Sequence, residues 1–297
     1  MAGTFFVSVP KSGGLELNRE DAPKLWEIWY EFEPENIGKR TLFIDDQLNA
    51  SISQHKRWFG LFGRHTSLNL GLELLLLADE RFLRSIIAHE VGHAQCQHTT
   101  GATNLHEFLE TFETLFEYAD PETTIVGGIV DWGLGAWYER AQGELMRVSR
   151  MNELEADLIA ARLCSPQDAA ETETFLATVG LAVSNRIHDP LETELLSAIR
   201  APQPPFIRVE EQRPSLVSIE TQDELMPEAW KEATSATSSH PAFRERFENV
   251  LPNQTPTAVE VGEPAAITCL PLKTFEQVKT RLTQQWVDQI ETAIGIY

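Results

Sequence analysis

"SIIAHEVGHAQCQH", residues 85–98, places His89 and His93 four apart, with Glu90 directly after the first histidine. An α-helix turns about 100° per residue, so positions i and i+4 stand one turn apart on the same face. If the stretch is helical, two imidazole nitrogens face one point in space and can share a divalent ion. Glu90 borders that face and can reach a water held by the same ion. Asp79 offers an N-cap, and the spacing predicts a helix over residues 80–98. Gly92 costs helix propensity, about 1 kcal/mol against alanine. Its place inside the motif suits close approach of another backbone or a ligand.

H-E-x-x-H is the arrangement zinc hydrolases use, with the glutamate as general base. A catalytic zinc takes three protein ligands and keeps one position for water, so two histidines leave it one short. "SRMNELEADLIAARL" (residues 149–163) supplies Glu153 and Asp157, again four apart on a predicted helix. Glu153 is the candidate third ligand. Asp157 is placed to accept a hydrogen bond from the far nitrogen of a ligand histidine, which fixes its tautomer and raises its basicity. Glu155, between them, points elsewhere and reads as a surface residue. The expectation is one zinc ion on His89, His93 and Glu153, with Glu90 as the base. Cys96 sits seven residues after His89, and with the donor set already complete it reads as a buried thiol.

Together these motifs resemble the gluzincin zinc metallopeptidases of the family that contains the CAAX prenyl endopeptidases and the HtpX-like heat-shock proteases. That family's second motif runs S-R-x-x-E-[YF]-x-A-D, matched here by Ser149, Arg150, Glu153, Ala156 and Asp157, with Leu154 replacing the usual aromatic. "DDQLNASISQ" (45–54), "LNLGLELLLLADERFLRSIIAHEVGH" (68–93) and "SSHPAFRERF" (238–247) extend the likeness across residues 18–250. The resemblance implies a zincin-like fold and a zinc-dependent endopeptidase acting on proteins or peptides. It also implies that His240 and Arg246, in the last segment, stabilise an oxyanion or support the site. Many relatives carry transmembrane helices, and no segment here qualifies as one. Two other readings stay open on the residues: a metal-holding chaperone-like or scaffold protein with little turnover, and a purely structural zinc site.

Composition narrows the partners. The chain has 297 residues, 42% of them hydrophobic, and a formal net charge of −21. Such a charge argues against a nucleic-acid backbone or an anionic membrane as partner. Three cysteines, far apart and odd in number, point to reduced thiols in a cytoplasmic compartment. The start of the chain lacks a basic, then apolar, signal pattern. "TTIVGGIVDWGLGAWY" (123–138) is too short for a spanning helix and carries Asp131 at its centre. It reads as a buried helix, and peripheral membrane contact stays open.

The remaining pattern predicts an α+β, mainly helical fold with a small sheet of about three strands before the zinc helix. A helix over 18–32 places Leu25, Trp26, Trp29 and Tyr30 on one side. Strands follow at 40–46, 50–58 and 65–72. In the last, Leu68, Leu70 and Leu72 alternate with Ser67, Asn69 and Gly71, and Leu68, Asn69, Leu70 and Gly71 are the candidate strand for pairing with an extended substrate. Helices are predicted at 105–116, from "DPET" at 120 to Leu163, from "SPQD" at 165, and over 273–293. Four prolines in 201–214 predict an irregular connection, which would make the site latent if it crossed the cleft. The expected organisation is a catalytic core at 1–200, a Pro-rich connection at 201–228 and a helical part at 229–297, packed as one compact domain.

Overall fold

In the computed structural model, residues 14–34, 38–56, 64–100, 125–235 and 238–294 are described, with backbone alone at 55–56, 64, 97–100, 125–139 and 141. Strand β1 (Leu15–Leu17) and helix α1 (Pro23–Phe32) lead into β2 (Lys39–Asp45), β3 (Ala50–Lys56) and β4 (Arg64–Gly71). Helices then take over: α2 (Leu72–Leu77), α3 (Glu80–Thr100), α4 (Ile125–Leu163) and α5 (Pro166–Val183). After a π-helical turn (Ser184–His188) come α6 (Asp189–Leu195), α7 (Pro205–Leu216), α8 (Ile219–Lys231), α9 (Phe243–Val250), α10 (Ala265–Thr268) and α11 (Leu272–Ala293). The described chain is mainly helical with a small mixed sheet.

That sheet has four strands in the order β1-β2-β4-β3, not the three expected. β2 and β4 run parallel, with Leu42 opposite Leu68 and Ile44 opposite Leu70. β3 pairs antiparallel with β4, setting Ile52 against Leu68. Alternation therefore brings Leu42, Ile44, Ile52, Leu68 and Leu70 to one buried face, where they join Leu25, Ile28 and Trp29 of α1 and Phe82 and Ile87 of α3. The short β1, pairing with β2, carries too little pattern to be read from sequence. β4 stops at Gly71 because a Cβ there would lie 1.7 Å from the Gln47 carbonyl oxygen. Only glycine lets the strand end pack against the β2–β3 turn. Leu72, expected to close the strand, opens α2 instead.

Asp79 caps α3 as predicted, its Oδ1 accepting from the Phe82 N–H at 3.0 Å. Ser165 caps α5 through the Asp168 N–H at 2.9 Å, with Pro166 in the first turn, where its missing N–H costs nothing. α11 buries Phe275, Val278, Leu282, Trp286 and Ile290 at the predicted spacing. The predicted helix at 105–116 and the "DPET" start lie outside the described residues. Residues 125–138 are helical, within α4, and their side chains lie outside the description. No helix among the described residues is long and apolar enough to cross a membrane.

The Pro-rich stretch is not irregular. Pro202 and Pro204 precede α7, Pro205 occupies its first turn, and Phe206, Val209 and Leu216 bury its inner side. Apolar burial outweighs the one interior proline, Pro214. Arg213 donates to the carbonyl oxygens of Leu76 at 2.7 Å and Leu77 at 3.2 Å, satisfying the C-terminal end of α2. α7 is thus held against α2 and lines no part of the cleft described below. Glu73, inward on α2, is buried and meets His188 Nε2 at 2.9 Å. Burial raises the Glu73 carboxyl above its ordinary value despite that partner.

Candidate active site

α3 and α4 cross where Gly92 meets Ala156. A Cβ on Gly92 would stand 3.0 Å from Ala156 Cα and 3.2 Å from its carbonyl oxygen, so the glycine lets the two backbones touch. The backbone approach suggested by the motif comes from α4. Because Ala156 lies between Glu153 and Asp157, this contact brings both carboxylates beneath the histidines. His89 Nε2 is 3.5 Å from Glu153 Oε2, and His93 Nε2 is 3.4 Å from Glu153 Oε1. These three side chains form a converging donor group.

The spacing itself tests whether zinc fits. Two ligands about 2.0–2.1 Å from a tetrahedral ion lie about 3.3–3.4 Å from each other. Each observed gap, measured to its own oxygen of Glu153, is of that size, and the three donors lie within 4.8 Å of one another. Cys96 is buried and stands outside the two converging groups of donors among the described residues, His89–His93–Glu153 and His89–Asp157–Glu173.

Around this triad the charges are layered. Asp157 Oδ1 lies 2.9 Å from His89 Nδ1, which fixes the proton on that nitrogen and turns Nε2 toward the donors. Arg246, on α9, grips Asp157 with both ends of its fork, at 3.0 Å from Nε to Oδ2 and 2.5 Å from Nη2 to Oδ1. Its Nη2 is also 2.8 Å from Glu173 Oε1 on α5. Arg246 therefore ties buried carboxylates together and also lines the cleft described below. His240 is the exposed partner, its Nδ1 2.9 Å from Glu153 Oε1. Arg150, from the second motif, donates to the Ser238 carbonyl at 2.7 Å and so ties the His240 loop to α4.

Ionisation follows from these contacts. Burial opposes charge on His89, but the bonds to Asp157 and Glu153 outweigh it and lift the ring to about 10. Burial likewise opposes ionisation of Glu153, yet His240, His89 and His93 hold it well below the usual carboxylate range. Asp157 is lowered too, since Arg246 and His89 overcome its desolvation. Glu90 is raised by burial. For Glu173, burial prevails over the charge of Arg246 and pushes the acid up to about 7. Several acids surrounding two imidazoles make a pocket that favours a cation.

A cleft of about 410 Å³ opens over these groups, lined also by Ala50 and Ser51 of β3 and by Leu176 of α5. Ile52 turns its backbone N–H out of the sheet to Glu90 Oε2 at 3.3 Å. β3 is the sheet edge at the cleft. β4, the expected substrate strand, is paired on both sides, by β2 and β3, so Leu68, Asn69, Leu70 and Gly71 have no edge to offer. Leu68 and Leu70 are also fully buried.

Sequence reasoning missed Glu173. Its signal was present: Ala169, Thr172, Glu173 and Leu176 form an i, i+3, i+4, i+7 stripe, and a lone acid on such a stripe calls for a buried partner.

The family model for peptidase family M48 matches residues 58–253, about two thirds of the chain, and includes His89, Glu90, His93, Glu153, Asp157, Glu173, His240 and Arg246 but not β3. The chain belongs to peptidase family M48. That places it among metallopeptidases, whose substrates are proteins or peptides. Comparison with curated proteins and with solved structures gave no match.

Proposed function

We propose that this M48 chain is a zinc-dependent endopeptidase, with His89, His93 and Glu153 holding the ion. The observation that carries the reading is the convergence of His89, His93 and Glu153, whose donor atoms lie within 4.8 Å of one another. A bound zinc would supply Lewis acidity for the scissile carbonyl and a lowered pKa for the attacking water. Glu90 takes the proton from that water and returns it to the leaving amine, its Oε2 held beside the cleft by the Ile52 N–H. Asp157 keeps the proton on His89 Nδ1, so that Nε2 remains the donor. His240, whose loop is tied down by Ser238 and Arg150 and which lines the cleft, is assigned in this reading as the donor to the oxyanion. Arg246 keeps the underlying carboxylates in place.

The extended substrate lies along β3 rather than β4. Because Ile52 points its N–H outward, ladder alternation turns the backbone of Ala50 toward the cleft as well, available to an added strand. Within family M48, the Ser149-Arg150-Glu153-Asp157 motif and the Ser239-His240-Pro241 segment favour the prenyl endopeptidase and HtpX-like branch. The deciding experiment is Glu90→Gln. The variant should keep its zinc and lose cleavage of unfolded casein by at least about 100-fold, the low end for a general base. Cleavage at the wild-type rate by the zinc-loaded variant would remove Glu90 from the mechanism.

A further inference from the structure

Glu173 belongs to no motif, yet it completes a file of side chains that ends at a candidate metal ligand. It is 7% exposed, and its Oε1 lies 2.8 Å from Arg246 Nη2. The same Nη2 is 2.5 Å from Asp157 Oδ1, and that oxygen is 2.9 Å from His89 Nδ1. We propose that Glu173 is a positioning residue for His89, acting through Arg246 and Asp157. This rests on the metal site proposed above.

The physical case concerns competition for Asp157. Its carboxylate accepts from the Arg246 fork and from the His89 ring at once. A guanidinium that gave its whole charge to Asp157 would weaken it as an acceptor for the imidazole, and the ring would become a poorer metal ligand. Glu173, on the other side of Nη2, takes a share of that charge. It also fixes the plane of the fork, so both bonds to Asp157 stay aligned. Without it, Arg246 is free to swing toward Glu153, whose Oε2 is already only 3.9 Å from Nη2. A single buried ion pair would need none of this placement. Here the arginine stands between two acids, and only one of them touches a candidate ligand.

The test is a double-mutant cycle on the full chain, read as zinc affinity by competition with a chromophoric chelator. Glu173→Gln should weaken zinc binding about tenfold, the low end for residues behind a metal ligand. Cobalt substitution should show a shifted visible absorption band. In an Asp157→Asn background, Glu173→Gln should add clearly less than it costs alone, because the carboxylate route to His89 is gone and only the 3.4 Å approach of Arg246 Nη2 to His89 Nδ1 remains. Glu173→Asp keeps the charge and should recover part of the lost affinity, and it serves in the same cycle if the glutamine variant fails to fold. Unchanged zinc affinity in the single variants, or an equal loss in both backgrounds, would overturn the proposal. Wild type losing zinc on His89→Ala while ignoring Glu173→Gln would overturn this inference alone. A wild-type chain that holds no zinc would overturn the proposed function and this inference together.

Discussion

Replacing Gly92 with alanine separates the helix from the site it builds. Alanine should favour α3 locally by about 1 kcal/mol. Its Cβ, however, would arrive 3.0 Å from Ala156 Cα, where carbon atoms prefer about 3.5–4.0 Å. α3 and α4 must part by about half an ångström or more, and such overpacking costs about 1–3 kcal/mol. The two effects nearly offset, leaving the metal-free protein destabilised by about 0–2 kcal/mol. The site has no such offset. Glu153 rides on α4, so its gaps of 3.4 and 3.5 Å to the histidines would widen to about 4 Å, against about 3.3 Å for a tetrahedral ion. A displacement of about 0.5 Å is enough to spoil a metal constellation, and zinc affinity should fall about tenfold or more. Zinc at 100 times the wild-type dissociation constant stabilises wild type by about 2.7 kcal/mol; a tenfold weaker variant gains about 1.4 kcal/mol at the same concentration. Thermal melts with and without zinc read both quantities. A variant that melts higher than wild type without metal and keeps the full zinc shift would refute the close-contact argument.

Two further outcomes follow from the buried charges. The metal-free His89 ring titrates near 10, against about 6.5 when unfolded, so its bonds to Asp157 and Glu153 stabilise the fold fully below pH 6.5 and fade as pH climbs through 10. Metal-free melting temperature should fall across that window, and zinc, which needs the neutral ring, should bind more tightly with rising pH; a level metal-free profile from pH 6.5 to 9 would contradict this. His188→Ala strands Glu73 in the core without its 2.9 Å partner and should cost about 1–3 kcal/mol in urea unfolding. Equal stability of the variant and wild type would mean that Glu73 is satisfied without His188.

What the sequence determined by itself was whatever depends on neighbours a few residues apart. His89 and His93 share a face because helical periodicity is local, as do Glu153 and Asp157. Asp79 and Ser165 announce helix starts because a side-chain cap reaches only two or three residues along the chain. The apolar stripe of α11 is legible for the same reason. Tertiary structure alone decided the rest. Strand order placed β3 at the edge and β4 inside, since hydrogen-bond pairing joins residues that alternation cannot connect. The Pro-rich stretch became α7 because Phe206, Val209 and Leu216 found a surface to bury against, a gain no proline count contains. Gly92 marked a close approach, but only the fold named Ala156 as the backbone that comes near. Glu173 stood out only as an acid on a buried stripe, and the fold alone named Arg246 of α9 as its partner. Burial and long-range charge depend on which segments meet, and that is settled by packing the whole chain.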